Sequence, residues 1–326
     1  MLTEAVFAIQ NSSDFETTAL RVFNYQYTHN IHYQRFCKLL GVAKTSVQAL
    51  EDIPFFPIEF FKKEKIICKQ TPIDAVFSSS GTTGSITSKH YVSDIGVYEN
   101  SFKKGFRHFY GDVKDYVILA LLPSYLEREG SSLIYMVEHL IKDSEQPESG
   151  FYLNNTDSLV SSLQQLAIQG RKVLLIGVSF ALLDLVEKYT LQLPKDTIVM
   201  ETGGMKGRRK EIIRQELHQI LQSKFGLPQI HSEYGMTELL SQGYSKGQGV
   251  FHCPPWMKVC IRDTEDPLTI LPTNKTGGIN IIDLANVNSC SFIATQDLGR
   301  VYDDGSFEVL GRFDHSDIRG CNLMAI

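Results

Sequence analysis

The sequence has little of what marks nucleic-acid-binding, secreted or membrane-spanning proteins. Its 326 residues carry a net charge of −5, so no basic excess points to nucleic acid or to an anionic membrane surface. No run approaches the roughly 20 apolar residues of a membrane span. The first residues mix charged and apolar side chains and lack the apolar core of a signal peptide. We therefore expect no nucleic-acid partner, no membrane span and a cytoplasmic location.

The cysteines also lack the spacing of a functional motif. No two cysteines form a CxxC pair, and none show the spacing of zinc ligands. This pattern predicts free thiols in a reducing compartment. The six cysteines are Cys37, Cys68, Cys253, Cys260, Cys290 and Cys321.

Periodicity divides the chain into three parts. Apolar residues recur at helical spacing between residues 15 and 40, and strand-like and helix-like segments alternate from residue 75 onward. Such alternation predicts an α/β fold with a parallel-rich sheet and helices. Beyond about residue 250, paired prolines and glycines separate short strands, which is typical of a small antiparallel β subdomain. The expected parts are an N-terminal helical segment packed on the body (1–74), an α/β nucleotide-binding body (75–250) and the β subdomain (251–326).

The alternation also predicts individual elements within the body. The expected strands are 116–122, 172–176 and 197–200. The expected helices are 131–141, 158–167, 180–188 and 208–223.

A run of serine, threonine and glycine follows the apolar stretch 75–77. Its glycines let backbone amides approach an anion closely, because no Cβ intervenes, and its hydroxyls add donors. The spacing differs from the Walker pattern, and a flexible surface loop is the alternative interpretation. The candidate phosphate-binding residues are Ser79, Ser80, Gly81, Thr82, Thr83 and Gly84.

A second motif, Tyr234-Gly235-Met236-Thr237-Glu238, follows another predicted strand. Gly235 would let the Tyr234 ring face a flat base, and the Thr237 hydroxyl suits a phosphate. The Glu238 carboxylate offers the oxygen ligand that Mg²⁺ prefers. A plain turn with a solvated glutamate is the alternative.

Further motifs are weaker in isolation. Gly203 and Gly204 follow the predicted strand 197–200, where glycine allows a base to lie against the backbone. Asp297 offers a carboxylate for paired ribose hydroxyls, and Arg312 suits a phosphate or a ribose edge. A strand-to-helix turn and a β-hairpin are the respective structural alternatives.

The order of these motifs resembles that of the adenylate-forming enzymes, which include acyl-CoA synthetases and nonribosomal adenylation domains. The resemblance covers roughly residues 75 to 324 and implies the large N-terminal domain of such an enzyme, with ATP and Mg²⁺ as cofactors. It implies that the 79–84 loop holds the ATP phosphates and that Gly203 and Gly204 line the adenine. Tyr234 would stack on the adenine.

The same resemblance assigns the remaining positions. Thr237 and Glu238 would handle phosphate and Mg²⁺, Asp297 would bind the ribose hydroxyls, and Arg312 would support the nucleotide. Members of this group carry a further mobile C-terminal domain of about a hundred residues. That domain, with its catalytic lysine, has no counterpart in this sequence. Lys89 also stands further from the glycine loop than the usual lysine does.

A narrower resemblance adds a substrate and an acceptor. Residues 122–133 and 317–323 are similar to the acyl-protein synthetases of bacterial luminescence operons, the LuxE type. These enzymes adenylate a fatty acid and transfer the acyl group to a cysteine. The setting Arg319-Gly320-Cys321 matches that cysteine, and a nearby cation raises the thiolate fraction of a thiol.

The chain is thus expected to activate a carboxylic acid, with a fatty acid as the first candidate, and to pass the acyl group to a thiol. The acceptor is the chain's own Cys321, coenzyme A or a carrier protein, and a reductase or transferase is a candidate partner. Two alternatives stay open at this point. One is a non-catalytic nucleotide-binding partner module, and the other is an acyl-CoA ligase for an aromatic acid.

Overall fold

The computed structural model describes residues 2–69, 72–79, 87–122, 130–152, 155–204, 209 and 212–312. The chain divides into two compact units. Over the described residues, the first unit takes in the N-terminal part to residue 101, residues 236–241 and residues 252–312, and the second takes in residues 102–235 and 242–251.

The described helices are α1 Leu2–Val6, α2 Ser12–His29, α3 Ile31–Leu39, α4 Phe60–Lys63, α5 Ile95–Tyr110, α6 Ser132–Ser144, α7 Thr156–Ile168, α8 Ser179–Lys188 and α9 Arg214–Phe225. The described strands are β1 Phe56–Pro57, β2 Ala75–Ser78, β3 Lys89–Val92, β4 Val117–Leu121, β5 Gly150–Phe151, β6 Val173–Val178, β7 Ile198–Thr202, β8 His231–Tyr234, β9 Gly243–Ser245, β10 Val250–His252, β11 Met257–Arg262, β12 Ile270–Leu271, β13 Thr276–Asp283, β14 Phe292–Val301 and β15 Phe307–Arg312. The mixed α/β class predicted from the sequence is confirmed.

A parallel sheet forms the core of the second unit. Its strands run in the order β5-β4-β6-β7-β8, all parallel, and β9 adds an antiparallel strand beside β8. Every residue of β4 and β6 is buried, which explains why both strands are continuous apolar runs rather than alternating ones. The carboxyl ends of β7 and β8 lie side by side, because Thr202 pairs with Glu233.

The helices of this unit follow the predicted order, with shifted boundaries. Ser131 caps α6 as its hydroxyl accepts from the Ile134 amide at 3.3 Å. Helix α9 begins at Arg214 rather than at residue 208, and the described Ile213 is already extended. It ends at Gly226, whose φ of 69° is the left-handed conformation that glycine adopts readily.

The predicted helical stretch 15–40 of the first unit is two helices, because Asn30 interrupts it. Asn30 has φ −98° and ψ 107°, outside the helical region. Its side-chain oxygen accepts from the amides of His32 and Tyr33, each at 3.1 Å, so it caps α3. Its side-chain nitrogen donates to the Ser289 carbonyl at 2.9 Å, which ties the break to the rest of the unit.

The first unit also contains an antiparallel sheet in the order β12-β11-β13-β14-β15. Strand β1 joins it as a parallel partner of β14, with Phe56 opposite Ile293. Strands β2 and β3 form a separate antiparallel pair. Among the described helices, none combines the length and the apolar character that crossing a bilayer requires.

Candidate active site

Three buried side chains of the first unit hold the main chain of the Thr237–Glu238 segment. The Nδ1 atom of His90 lies 2.9 Å from the Thr237 carbonyl, so the ring must carry its proton on that nitrogen. Asn286 donates from Nδ2 to the Glu238 carbonyl at 2.8 Å. Asp283 accepts from the next amides of the segment, those of residues 240 and 241, at 2.8 and 3.0 Å. The segment is therefore fixed by strand β3, the end of β13 and the short 3₁₀ turn after it.

The carboxylate of Glu238 is buried, with only 6% of the residue exposed. Burial raises the pKa of Glu238, while a hydrogen bond from Ser88 and the positive charges of Arg312 and Lys62 oppose that shift. The Ser88 amide in turn donates to the Ser79 hydroxyl at 2.9 Å. Ser88 therefore links the first residue of the predicted phosphate loop to the predicted metal ligand.

Asp297 and Arg312 face each other on neighbouring strands. They are register partners of β14 and β15, and the Arg312 Nε atom lies 3.6 Å from an Asp297 carboxylate oxygen. The Asp297 side chain is 10% exposed, whereas that of Arg312 is 74% exposed. Arg312 also donates to Gln296 at 3.2 Å. The positive charge of Arg312 thus lies near two carboxylates, those of Asp297 and Glu238, and its guanidinium stays accessible to a ligand.

The residues present fit a magnesium ion held together with phosphates. Among the described residues, no group of three or more His, Cys, Asp or Glu side chains is placed to hold a metal. Mg²⁺ bound with a nucleotide usually takes only one or two carboxylates and completes its shell with phosphate oxygens and water. The single Glu238 carboxylate, oriented by Ser88, is a donor set of that kind.

In the second unit, the two predicted adenine-side glycines follow β7. Gly203 has φ 68°, a conformation that favours glycine, and its carbonyl accepts from the Ser179 hydroxyl at 3.1 Å. A Cβ added to Gly204 would meet no atom of the described residues within 4 Å. The Tyr234 ring is buried and meets Phe251 edge to face at 5.9 Å. Their adenine-binding roles stay predictions.

Glu233 is a buried carboxyl group that the motif-based prediction did not include. The Thr202 hydroxyl donates to its Oε2 at 2.5 Å. Burial raises the pKa of Glu233 to about 7, and the charge of Glu201 adds to the shift although the Thr202 bond opposes it. A Cβ on Gly235 would lie 2.5 Å from the other carboxyl oxygen. Glycine at this position thus makes room for Glu233.

The pKa of the neighbouring carboxyl group, Glu201, shifts in the opposite direction. Burial alone would raise its pKa, but hydrogen bonds from His218 and Ser232 and the charge of Arg214 lower it overall. Arg214 donates to Glu201 at 3.0 Å. The sequence analysis assigned no role to Glu201 or Glu233, because the adjacency of β7 and β8 that brings them together appears only in the folded chain.

Several predicted residues lie outside the described part of the chain. Burial raises the pKa of each of the five described cysteines, to about 12 for Cys37 and Cys68 and about 11 for Cys260. None of the five described thiols therefore has the lowered pKa of a reactive cysteine. The predicted residues outside the described ranges are Ser80, Gly81, Thr82, Thr83, Gly84 and Cys321.

The architecture matches solved adenylate-forming ligases. The chain aligns with MatB from Rhodopseudomonas palustris, in a structure with ATP bound, at 18% identity and a TM-score of 0.55, covering 74% of this chain and 48% of that one. It aligns with a 2-hydroxyisobutyryl-CoA ligase, in complex with 2-HIB-AMP and CoA, at 14% identity and a TM-score of 0.68, covering 94% of this chain and 72% of that one. The chain thus spans about half the length of MatB, and at these identities the match defines the fold.

The family is defined by sequence. The model of the acyl-protein synthetase family, LuxE, matches residues 7–99 and 132–325, which is most of the chain. This protein belongs to the LuxE acyl-protein synthetase family. A comparison with curated proteins finds no match.

Proposed function

We propose that this protein activates a carboxylic acid with ATP, releases pyrophosphate, and transfers the acyl group from the resulting acyl-adenylate to a thiol. The observation that carries the proposal is the connection Ser79–Ser88–Glu238, which joins two motifs far apart in the sequence. Arg312 adds a positive charge beside Glu238. A phosphate-loop residue, a buried carboxylate and an accessible guanidinium are the groups that handling a nucleotide requires.

The residue roles follow the chemistry of each group. In this proposal the 79–84 loop and Thr237 bind phosphates, and Asp297 takes the ribose hydroxyls with Arg312 beside it. Gly203 and Gly204 line the adenine, and Tyr234 stacks on it beside Gly235. Magnesium, held by Glu238, would supply charge neutralisation at the phosphates.

The first step is an in-line attack of the substrate carboxylate on the α-phosphorus of ATP. A P–O bond to the carboxylate forms as the bond to pyrophosphate breaks, giving a mixed anhydride. The chain's contribution is to position two anions and to offset their negative charge. Arg312, which is exposed yet near Asp297 and Glu238, is suited to that task.

In the second step a thiolate attacks the acyl carbon and AMP leaves, so that a thioester forms. We propose Cys321 as the acceptor, with coenzyme A or a carrier protein as the alternatives. The raised pKa values of the described cysteines favour an acceptor outside that set. A reductase or transferase that collects the acyl group stays a prediction.

The decisive experiment is ATP–pyrophosphate exchange with the purified chain across a panel of carboxylic acids. Glu238→Gln should lower exchange by on the order of a hundredfold, since loss of one transition-state charge stabiliser commonly costs that much. Glu265→Gln, at an exposed position of the same unit, is the matched control and should keep full exchange. Full exchange activity in the Glu238→Gln variant would show that the metal assignment is wrong.

The acid and the acceptor need separate assays. We propose a fatty acid, so hydroxamate trapped from the adenylate should increase with chain length, whereas a preference for benzoate-like acids would indicate an aromatic substrate. A lack of exchange with every acid of the panel would indicate the non-catalytic module instead. Hydroxylamine-sensitive label mapped to Cys321, and lost in Cys321→Ser while exchange survives, would support the thiol step. Adenylate formation without label on Cys321 would indicate that the acceptor is an external thiol.

A further inference from the structure

One buried ion pair of the second unit has contacts that lead to the ends of two neighbouring strands. The Arg214 Nε atom donates to one carboxylate oxygen of Glu201 at 3.0 Å. The Ser179 hydroxyl lies 3.2 Å from the other oxygen of that carboxylate and 3.1 Å from the Gly203 carbonyl. Glu201 is a buried residue of β7, and Gly203 comes directly after that strand. The ion pair is thus connected to the backbone that follows β7.

A second contact of Arg214 leads to the end of β8. Its guanidinium carbon lies over the Phe251 ring, 5.0 Å from the centroid, where the face of an aromatic ring attracts a cation. Phe251 is completely buried and meets the Tyr234 ring at 5.9 Å, with 61° between the ring planes. A Cβ on Gly249 would lie 3.4 Å from the Arg214 Cδ atom, so the stem of the arginine runs close to the backbone there. Arg214 therefore contacts the ring that packs against Tyr234.

The two ends that these contacts reach belong to the proposed adenine subsite. Strands β7 and β8 are parallel neighbours with Thr202 opposite Glu233, so the residues after Thr202 and the Tyr234 end of β8 lie side by side. In the proposed function, Gly203 lines the base and Tyr234 stacks on it. A base binds more tightly when its partners are already ordered, because a ligand that must order a side chain or a loop loses affinity.

We propose that Arg214 is a positioning residue for the adenine base of ATP, an inference that rests on the proposed function and deepens it. Through Phe251 it holds the Tyr234 ring, and through its ion pair with Glu201 it holds the backbone after β7. Arginine suits both contacts, because its planar guanidinium can donate to a carboxylate while its face covers an aromatic ring. The ammonium of lysine is a compact charge without such a face.

The first test measures nucleotide binding and needs no turnover. In Arg214→Lys the charge beside Glu201 remains, but the planar group over Phe251 is lost. Calorimetric titration should give a dissociation constant for Mg·ATP that is raised roughly three- to tenfold, the effect of one cation–π or aromatic contact on an equilibrium. Binding of Mg·tripolyphosphate, which has the phosphates but no base, should be unchanged. Equal weakening of both ligands, or weakening of neither, would overturn the proposal.

The matched control is Arg209→Lys in the same unit. The Arg209 side chain is 29% exposed, close to the 27% of Arg214. Its partners Asp184 and Glu187 are more than half exposed, whereas the side chain of Glu201 is 3% exposed. Arg209→Lys should bind Mg·ATP as the wild type does. A loss of ATP affinity as large as that in Arg214→Lys would also overturn the proposal.

Two further variants test the connections one at a time. Phe251→Leu removes the ring beside Tyr234 and keeps the ion pair. Ser179→Ala removes the hydroxyl beside the Gly203 carbonyl and keeps the ring contact. Each should weaken binding of Mg·ATP without changing that of Mg·tripolyphosphate, and both keep the proposal testable if Arg214→Lys does not fold. Unchanged ATP affinity in either variant would break that connection and refute the proposal as stated.

The exchange reaction adds a readout that a general loss of structure would not reproduce. Arg214→Lys should raise the KM for ATP by the same factor as the dissociation constant, while the maximal rate and the KM for the acid stay near their wild-type values. A lower maximal rate with an unchanged KM for ATP would contradict the positioning role.

The outcomes separate this inference from the proposed function. If the wild-type chain binds Mg·ATP but performs no exchange with any acid, the proposed function fails, and the binding comparison still decides the role of Arg214. If exchange is robust but Arg214→Lys binds Mg·ATP as the wild type does, the inference about Arg214 fails alone. If the wild-type chain binds no Mg·ATP, both fail.

Discussion

Replacing Glu233 with glutamine should stabilise the protein above neutral pH. Glu233 is a buried carboxyl group at the end of β8, bonded by the Thr202 hydroxyl at 2.5 Å. Its ionised form lies near the charge of Glu201, and burial removes the water that would solvate it. Glutamine has nearly the same shape and can still accept from Thr202, but it never ionises.

The magnitude follows from the shift in the pKa of Glu233, from 4.5 to about 7. Each pKa unit corresponds to about 1.36 kcal/mol, so ionising the folded protein costs about 3 kcal/mol. Because the folded pKa is raised, the protonated group favours folding fully below pH 4.5, and that contribution is lost as pH rises through 7. The wild type should therefore lose about 3 kcal/mol relative to Glu233→Gln between about pH 4.5 and pH 8.

The assay is urea unfolding of both proteins, followed by far-ultraviolet circular dichroism across that pH range. The difference between the two curves isolates Glu233, since every other titrating group is common to both. Thr202→Val serves as a matched control for loss of the hydrogen bond without loss of the carboxyl group. A difference between wild type and Glu233→Gln that does not change with pH would refute the reasoning.

Two further predictions concern other buried groups. Burial lowers the pKa of His90 from 6.5 to about 4, so its stabilising neutral form is lost as pH falls through that window. His90→Asn should remove a pH dependence of about 3 kcal/mol between about pH 6.5 and pH 4, measured by Trp256 fluorescence. Arg214→Gln should destabilise the chain by about 3 kcal/mol at pH 7, since it leaves Glu201 buried without its cation. Urea unfolding followed by circular dichroism would measure this loss of stability. The control is Arg209→Gln, which breaks more exposed ion pairs of the same unit. A loss of stability in Arg214→Gln no larger than that in Arg209→Gln would contradict the prediction.

Local sequence patterns predicted the body of the fold because each of its strands and helices carries a signal in its own residues. The strands β4 and β6 are continuous apolar runs, and the helices beside them show helical spacing and suitable caps. The resemblance to adenylate-forming enzymes was likewise carried by short motifs in a fixed order, and the family and the fold are confirmed.

Long-range partners could not be predicted in the same way. The side chain of Asn30 accepts from an amide of α3 and donates to a carbonyl 259 residues away. The local sequence does not show the second of these bonds, so it does not predict that the helix breaks at Asn30. The bond between His90 and the Thr237 carbonyl spans 147 residues. Ser88 and Asn286 have ordinary sequence surroundings, and only the folded chain gives them a role.

The burial of Glu238 has a physical consequence for how the site is built. A buried carboxylate costs free energy, as its raised pKa shows, and a chain selected for stability alone would place an apolar residue there. The surrounding structure nevertheless satisfies the main chain of this segment with His90, Asn286 and Asp283. Those partners leave the Glu238 side chain with the Ser88 hydroxyl and nearby cations. A buried carboxylate whose main chain is held by buried polar side chains is the arrangement that the proposed magnesium ligand would need.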